Sequence, residues 1–111
     1  MHTIRIMTLA DFGTQSPLRR NGEPWIMTVP AVSTTHIQQS DVVKLDNMSW
    51  PMMGDLETGW LLRLGPDVDA GFKDCSQAMR ELLNAFRARG FEYLRLDADG
   101  EKLSDMRTFN W

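Results

Sequence analysis

Several groups of residues in this chain have types and spacings that could carry chemistry. The most conspicuous is the run Asp97-Ala98-Asp99-Gly100-Glu101. Alternating carboxylates before a glycine suggest a calcium loop, which also needs glycine at its sixth position and glutamate at its twelfth. With Gly100 as the sixth residue, Arg95 stands first and Met106 last. With Asp97 first, Lys102 takes the place of the glycine and Thr108 closes the loop. Upstream, Asp67 as first residue puts Phe72 at the glycine position. No register works, so the run reads as an Asp99-Gly100 hairpin turn, where both residues tolerate positive φ. No metal or cofactor is expected.

Cys75 lies at the start of a helical pattern, where the dipole lowers a thiol pKa. Its only partner bases would be His36 and His2, both distant in sequence. It is also the first residue of an apolar stripe, where free cysteine behaves as a small hydrophobe. His36 follows Thr34 and Thr35 at a strand end and helix start, where open α/β sheets place ligands. Thr34, Thr35 and His36 are therefore the candidate ligand contacts. Two histidines without paired spacing do not make a zinc site.

Arg80, Asn84 and Arg87 recur at helical spacing with Arg89 near by. Arg80, Arg87 and Arg89 are candidate anion contacts, although such a stripe is also how the solvated face of an amphipathic helix reads. No aromatic residues interleave it, which disfavours base stacking. The chain has four tryptophans. Trp60 reads as core. Trp50, Met52 and Met53 in "MSWPMM", together with Trp111, are the candidate interaction residues, since Trp and Met are over-used at contact surfaces. There is no G-x-G-x-x-G, P-loop, G-x-S-x-G or C-x-x-C signature, so no catalytic residue is assigned.

These residues need elements to hold them. The clearest is a helix over 75–89, with Cys75, Ala78, Met79, Leu82, Leu83 and Phe86 on one face. Asp74 and Gln77 form its expected capping box. Gly90 is its left-handed stop, making Phe86 and Phe91 the hydrophobic pair of a Schellman motif. The strand 58–64 places Trp60, Leu62 and Leu64 on one face. The strand after Phe91 points Leu94 and Leu96 inward and Glu92, Arg95 and Asp97 outward or to the rim. "WIMTVPAVSTT" is a strand broken by Pro30, and "HTIRIM" a short one. Thr35 and Gln38 match a capping box that would open a helix from Ile37 to Asn47, ended by Pro51. The order β-α-β-α-β, plus a short C-terminal hairpin strand over 101–103, predicts one small α/β or α+β domain with two helices on a three- to four-stranded sheet. Residues 25–111 form that domain. Residues 1–24, low in apolar content, are expected to be an N-terminal arm.

The 111 residues suit one domain. A hydrophobic share of 42% with 24% charged residues is that of a globular chain. A net charge of −3 is not the footprint of a polyanion binder. One cysteine excludes an internal disulfide and fits a reducing compartment. With no secretory leader pattern and no apolar run long enough for a bilayer, the expected location is the cytoplasm.

"STTHI" at 33–37, "AMRELLNAFRARG", "FEYLRLDADG" and the ending "TFNW" together resemble an uncharacterised domain family of small proteins from bacterial plasmids, phages and integrative elements. The similarity spans roughly residues 30–111. The resemblance implies an accessory role in a mobile element and no particular activity. The function expected is that of a non-enzymatic protein-interaction module, an inhibitor of a host defence complex being one form of it. A small hydrolase or ligand-binding domain built on Thr35 and His36 is the first alternative. A nucleic-acid-binding accessory protein is the second.

Overall fold

A computed structural model describes residues 6–12, 29–49 and 51–111. Its centre is a four-stranded mixed sheet in the order β2-β5-β4-β3. The strands are β2 (Ala31–Ser33), β3 (Met52–Leu56), β4 (Gly59–Arg63) and β5 (Tyr93–Asp97). β2 runs parallel to β5, and β4 runs antiparallel to both its neighbours. Two outer strands, β1 (Ile6–Met7) and β6 (Lys102–Leu103), pair in parallel, and a single bridge from Glu101 to Val32 joins them to β2. Helices α1 (Gln39–Asp46), α2 (Val68–Gly71) and α3 (Gln77–Ala88) complete the fold. The α/β domain expected from the pattern is what the chain forms.

The alternation of apolar residues decides which sheet face is covered. Leu62, Leu94 and Leu96 are fully buried, Leu64 nearly so, and Trp60 is 8% exposed. Met79, Leu82, Leu83 and Phe86 of α3 are fully buried in the same cluster. Each such side chain contributes about 1.5–3 kcal/mol through burial. Gly90 has φ +92°, the Phe91 N–H reaches the Phe86 carbonyl at 3.2 Å, and the two rings meet edge-on at 5.7 Å. The Schellman stop is thus present in full. Phe12 packs against the other side of Phe86, at 5.2 Å between ring centroids. Within the expected arm, residues 6–12 therefore lie against the domain; the rest of 1–24 is outside the described residues.

Four local expectations are corrected. α3 starts at Gln77 and its cap is Ser76, whose hydroxyl accepts the Met79 N–H at 3.2 Å; Asp74 is not the cap. α1 starts at Gln39 rather than Ile37. Residues 34–36 form a 3-10 turn capped by Ser33, whose hydroxyl accepts the Thr35 N–H at 3.1 Å. Residues 52–56, to which the sequence pattern assigns no element, form the edge strand β3, joined to β4 by the two-residue turn Glu57-Thr58.

The fourth concerns Asp99-Gly100, which does not fold β6 back onto β5. β2 uses one edge for β5 and the other for Glu101: the Ser33 N–H donates to the Glu101 carbonyl at 2.8 Å, and the Glu101 N–H to the Ala31 carbonyl at 3.2 Å. The chain therefore crosses β2 between residues 98 and 100. A Cβ on Gly100 would sit 2.4 Å from the Val32 carbonyl carbon and 2.9 Å from the Ser33 nitrogen. Gly100 does not have positive φ; it is required for this close backbone approach.

Candidate functional site

Among the described residues the buried polar side chains are Ser33, His36, Asp41 and Asp97, and each of these four has defined partners. Asp97, expected at a rim, is 7% exposed. Its Oδ1 accepts the Asp99 N–H at 2.9 Å and the Thr58 hydroxyl at 3.0 Å, and its Oδ2 meets Arg95 at 2.7 Å. The Asp99 N–H, with help from Thr58 and Arg95 against the opposing effect of burial, holds its carboxyl below the usual range. The most metal-like carboxylate of the acidic run is thus spent on closing its own turn and tying it to the β3–β4 turn.

His36 is 2% exposed, and both its ring nitrogens are used. The Leu103 N–H donates to Nε2 at 2.8 Å, which fixes the proton on Nδ1, and Nδ1 donates to the Arg107 carbonyl at 2.7 Å. Burial lowers its pKa, keeping the ring neutral. The tail continues this seam. The Phe109 N–H donates to the Thr35 carbonyl at 2.7 Å, and Trp111 Nε1 to the Ile37 carbonyl at 2.8 Å. "STTHI" and "TFNW" therefore lie against each other, with His36 as the pin.

Asp41 joins the starts of α1 and α3. Its carboxylate accepts the Gln38 N–H at 2.9 Å, and the Ser76 N–H and hydroxyl each at 2.6 Å. Cys75, next to this junction, is buried; desolvation, reinforced by the charges of Asp41 and Asp74, raises its thiol to about 11. A thiol with that pKa is protonated at neutral pH, so Cys75 has the character of a core residue and not of a nucleophile.

At the ends where β2 and β5 finish and β4 begins, α1, the Glu57-Thr58 turn and the tail enclose an open cleft of about 490 Å³. Thr34, Val42, Trp60 and Trp111 give it apolar and aromatic walls. Asp46 and Glu57, both exposed, stand at its edge, and among the described residues none that lines it is basic. Trp111 is 51% exposed although its indole N–H is fixed. Trp60 Nε1 is buried without a hydrogen-bond partner among the described residues. The position obeys the rule that open α/β sheets bind at the carboxyl ends of parallel strands.

Of the residues singled out from sequence, Thr34 and Trp111 meet in this cleft. Thr35 and His36 lie behind it and hold the tail. Met52 is half-buried against the core from β3, whereas Trp50 and the Met53 side chain lie outside the described residues. Arg80 pairs with Asp69 at 3.8 Å, Asn84 donates to the same carboxylate at 3.2 Å, and Arg87 Nε donates to the Gly65 carbonyl at 2.6 Å. That helix face clasps the loop around α2. Arg89 lies beyond α3 as its C-cap residue. Val42, Asp46, Glu57 and Thr58 were not foreseen as site residues. The one local signal was the β-branched Val42-Val43 pair, out of place in a helix: Val42 lines the cleft and Val43 is 58% exposed.

No helix among the described residues is long and apolar enough to cross a membrane. Residues 29–111 match the C-terminal domain of DUF5983, a family of unknown function, and the chain belongs to that family. No curated protein and no solved structure matches the chain.

Proposed function

We propose that this member of the DUF5983 family is a non-enzymatic protein-interaction module whose contact face is the cleft between α1, the β3–β4 turn and the C-terminal tail. The observation that carries the reading is Trp111: a large aromatic ring left half exposed while its N–H is held by the Ile37 carbonyl. Fixed, exposed tryptophans at the rim of a concave surface are typical anchors of protein contacts, because little side-chain entropy remains to be lost on binding. The chemical groups a hydrolase would draw on are committed elsewhere, His36 to the tail and Cys75 to the core. The mobile-element setting, and inhibition of a host defence complex as its purpose, rest on the family resemblance of the segments that build this face.

Affinity capture from host lysate with matched variants tests the proposal. Trp111→Ala should lose a specific protein that the wild type retains. Val43→Glu, outside the cleft on α1, should retain it. An identical captured set for the wild type and Trp111→Ala, both folded by circular dichroism, would refute the assignment of the face.

A further inference from the structure

We infer that the cleft recognises a cationic side chain, specifically an arginine presented by an extended segment of a protein partner. The inference rests on the reading of this face as the contact surface and names what it contacts. Two indoles, Trp60 and Trp111, wall a cleft whose only charged lining residues among the described residues are Asp46 and Glu57. Neither carboxylate has a hydrogen bond or ion pair among the described residues, unlike Asp41, Asp67, Asp69 and Asp97, which all have partners. A trough that is aromatic on its walls, anionic at its edge and, among the described residues, free of lysine and arginine is complementary to a cation with a flat apolar face. Guanidinium fits that description better than ammonium: it is planar, weakly hydrated, stacks on indoles and donates to carboxylates from its edge. The cleft volume of about 490 Å³ exceeds one side chain, leaving room for flanking backbone. A free polyanion is disfavoured by the same carboxylates.

The probe is the capped tripeptide acetyl-Gly-Arg-Gly-amide, titrated against the full chain while the indole N–H signals of Trp60 and Trp111 are followed by NMR. Its counterpart has citrulline, a neutral isostere, in place of arginine. The arginine peptide should move both indole signals saturably, and citrulline should weaken binding about ten-fold, the combined effect of one cation–π contact and two exposed ion pairs. Asp46→Asn with Glu57→Gln should weaken the arginine peptide by the ion-pair share alone, about three-fold, leaving it tighter than the citrulline peptide by the cation–π share, with an unchanged thermal melt because both side chains are exposed. Equal shifts from the two peptides would overturn the cation assignment while leaving the interaction face standing. No shift from either peptide would also overturn it, and the capture experiment with Trp111→Ala would then decide the broader reading independently.

Discussion

Replacing Asp41 by alanine should destabilise the domain more than any other single truncation of a polar side chain. Asp41 is 1% exposed and accepts three hydrogen bonds from two elements, at 2.9, 2.6 and 2.6 Å. Hydrogen bonds to a charged group contribute about 1.5–3 kcal/mol each, and a buried donor left without an acceptor costs roughly 1–3 kcal/mol. Alanine leaves the Gln38 and Ser76 N–H groups unpaired, while the Ser76 hydroxyl can turn to another acceptor. Partial relaxation and water entry reduce the sum, so the expected loss is about 3–5 kcal/mol, a large fraction of the roughly 5–15 kcal/mol that holds a domain folded. Asparagine should cost less, because one oxygen still accepts. Urea titration followed by circular dichroism measures the difference. Combining Asp41→Ala with Ser76→Ala should show coupling of about 1–2 kcal/mol, since the two residues share bonds. A loss below about 1 kcal/mol for Asp41→Ala, or strict additivity with Ser76→Ala, would refute the claim that this carboxylate locks α1 to α3.

Gly100→Ala should cost more than about 1–3 kcal/mol, since its Cβ meets the Val32 and Ser33 backbone rather than a movable side chain. Gly65→Ala is the comparison: it has φ +66° but no atom within 4 Å of the added carbon, so only the left-handed strain of about 1–2 kcal/mol applies. Equal urea midpoints for the two variants would contradict the crossing at β2. Stability should also fall on acidification in two stages. His36 has a pKa lowered on folding, so its contribution is complete above the unfolded value of 6.5 and is lost as pH falls through the lower folded value. Asp97, likewise lowered, contributes above 3.8 and loses that contribution only at still lower pH. In urea melts, His36→Gln should abolish the first decline and leave the second; a wild-type decline that persists unchanged in the variant would dissociate it from His36.

Local information sufficed for α3 and the core. Its stripe, its glycine stop and the Phe86–Phe91 contact are all set by residues within a few positions of one another, and the period of two in β4 and β5 marks the buried face directly. The failures are non-local. Asp74 and Ser76 are both chemically able to cap α3, and Ser76 is selected because Asp41, from another helix, fixes its hydroxyl. Thr35-Gln38 is a sound capping box by type, yet His36 is drawn into a 3-10 turn by Leu103 and Arg107, so α1 begins two residues late. β3 carries Gly54 and follows Pro51, which makes it a poor strand on its own; antiparallel pairing with β4 supplies the order. Asp-Gly is the strongest short hairpin signal, but it states only that a turn is permitted, and the open far edge of β2, which Glu101 bridges, determines where the chain goes.

The cleft was illegible for the same reason. Its lining comes from the end of β2, one side of α1, a two-residue turn, the start of β4 and the tail, and no two of these segments announce each other in sequence. What brings them together is the set of buried polar contacts that sequence reasoning had weighed as candidate chemistry. His36 holds the tail, and the tail places Trp111. Asp97 holds Thr58, and that turn places Glu57 beside Gly59 and Trp60. His36 has both ring nitrogens engaged, and Asp97 accepts from the Asp99 N–H, Thr58 and Arg95, so the bonding of these groups is directed into the fold. The cleft groups they position are open to solvent: the exposed face of Trp111 and the carboxylates of Asp46 and Glu57, which have no partner among the described residues. The division between groups that complete the fold and groups left open to solvent is the ground on which we propose the cleft, rather than the histidine behind it, as the contact face.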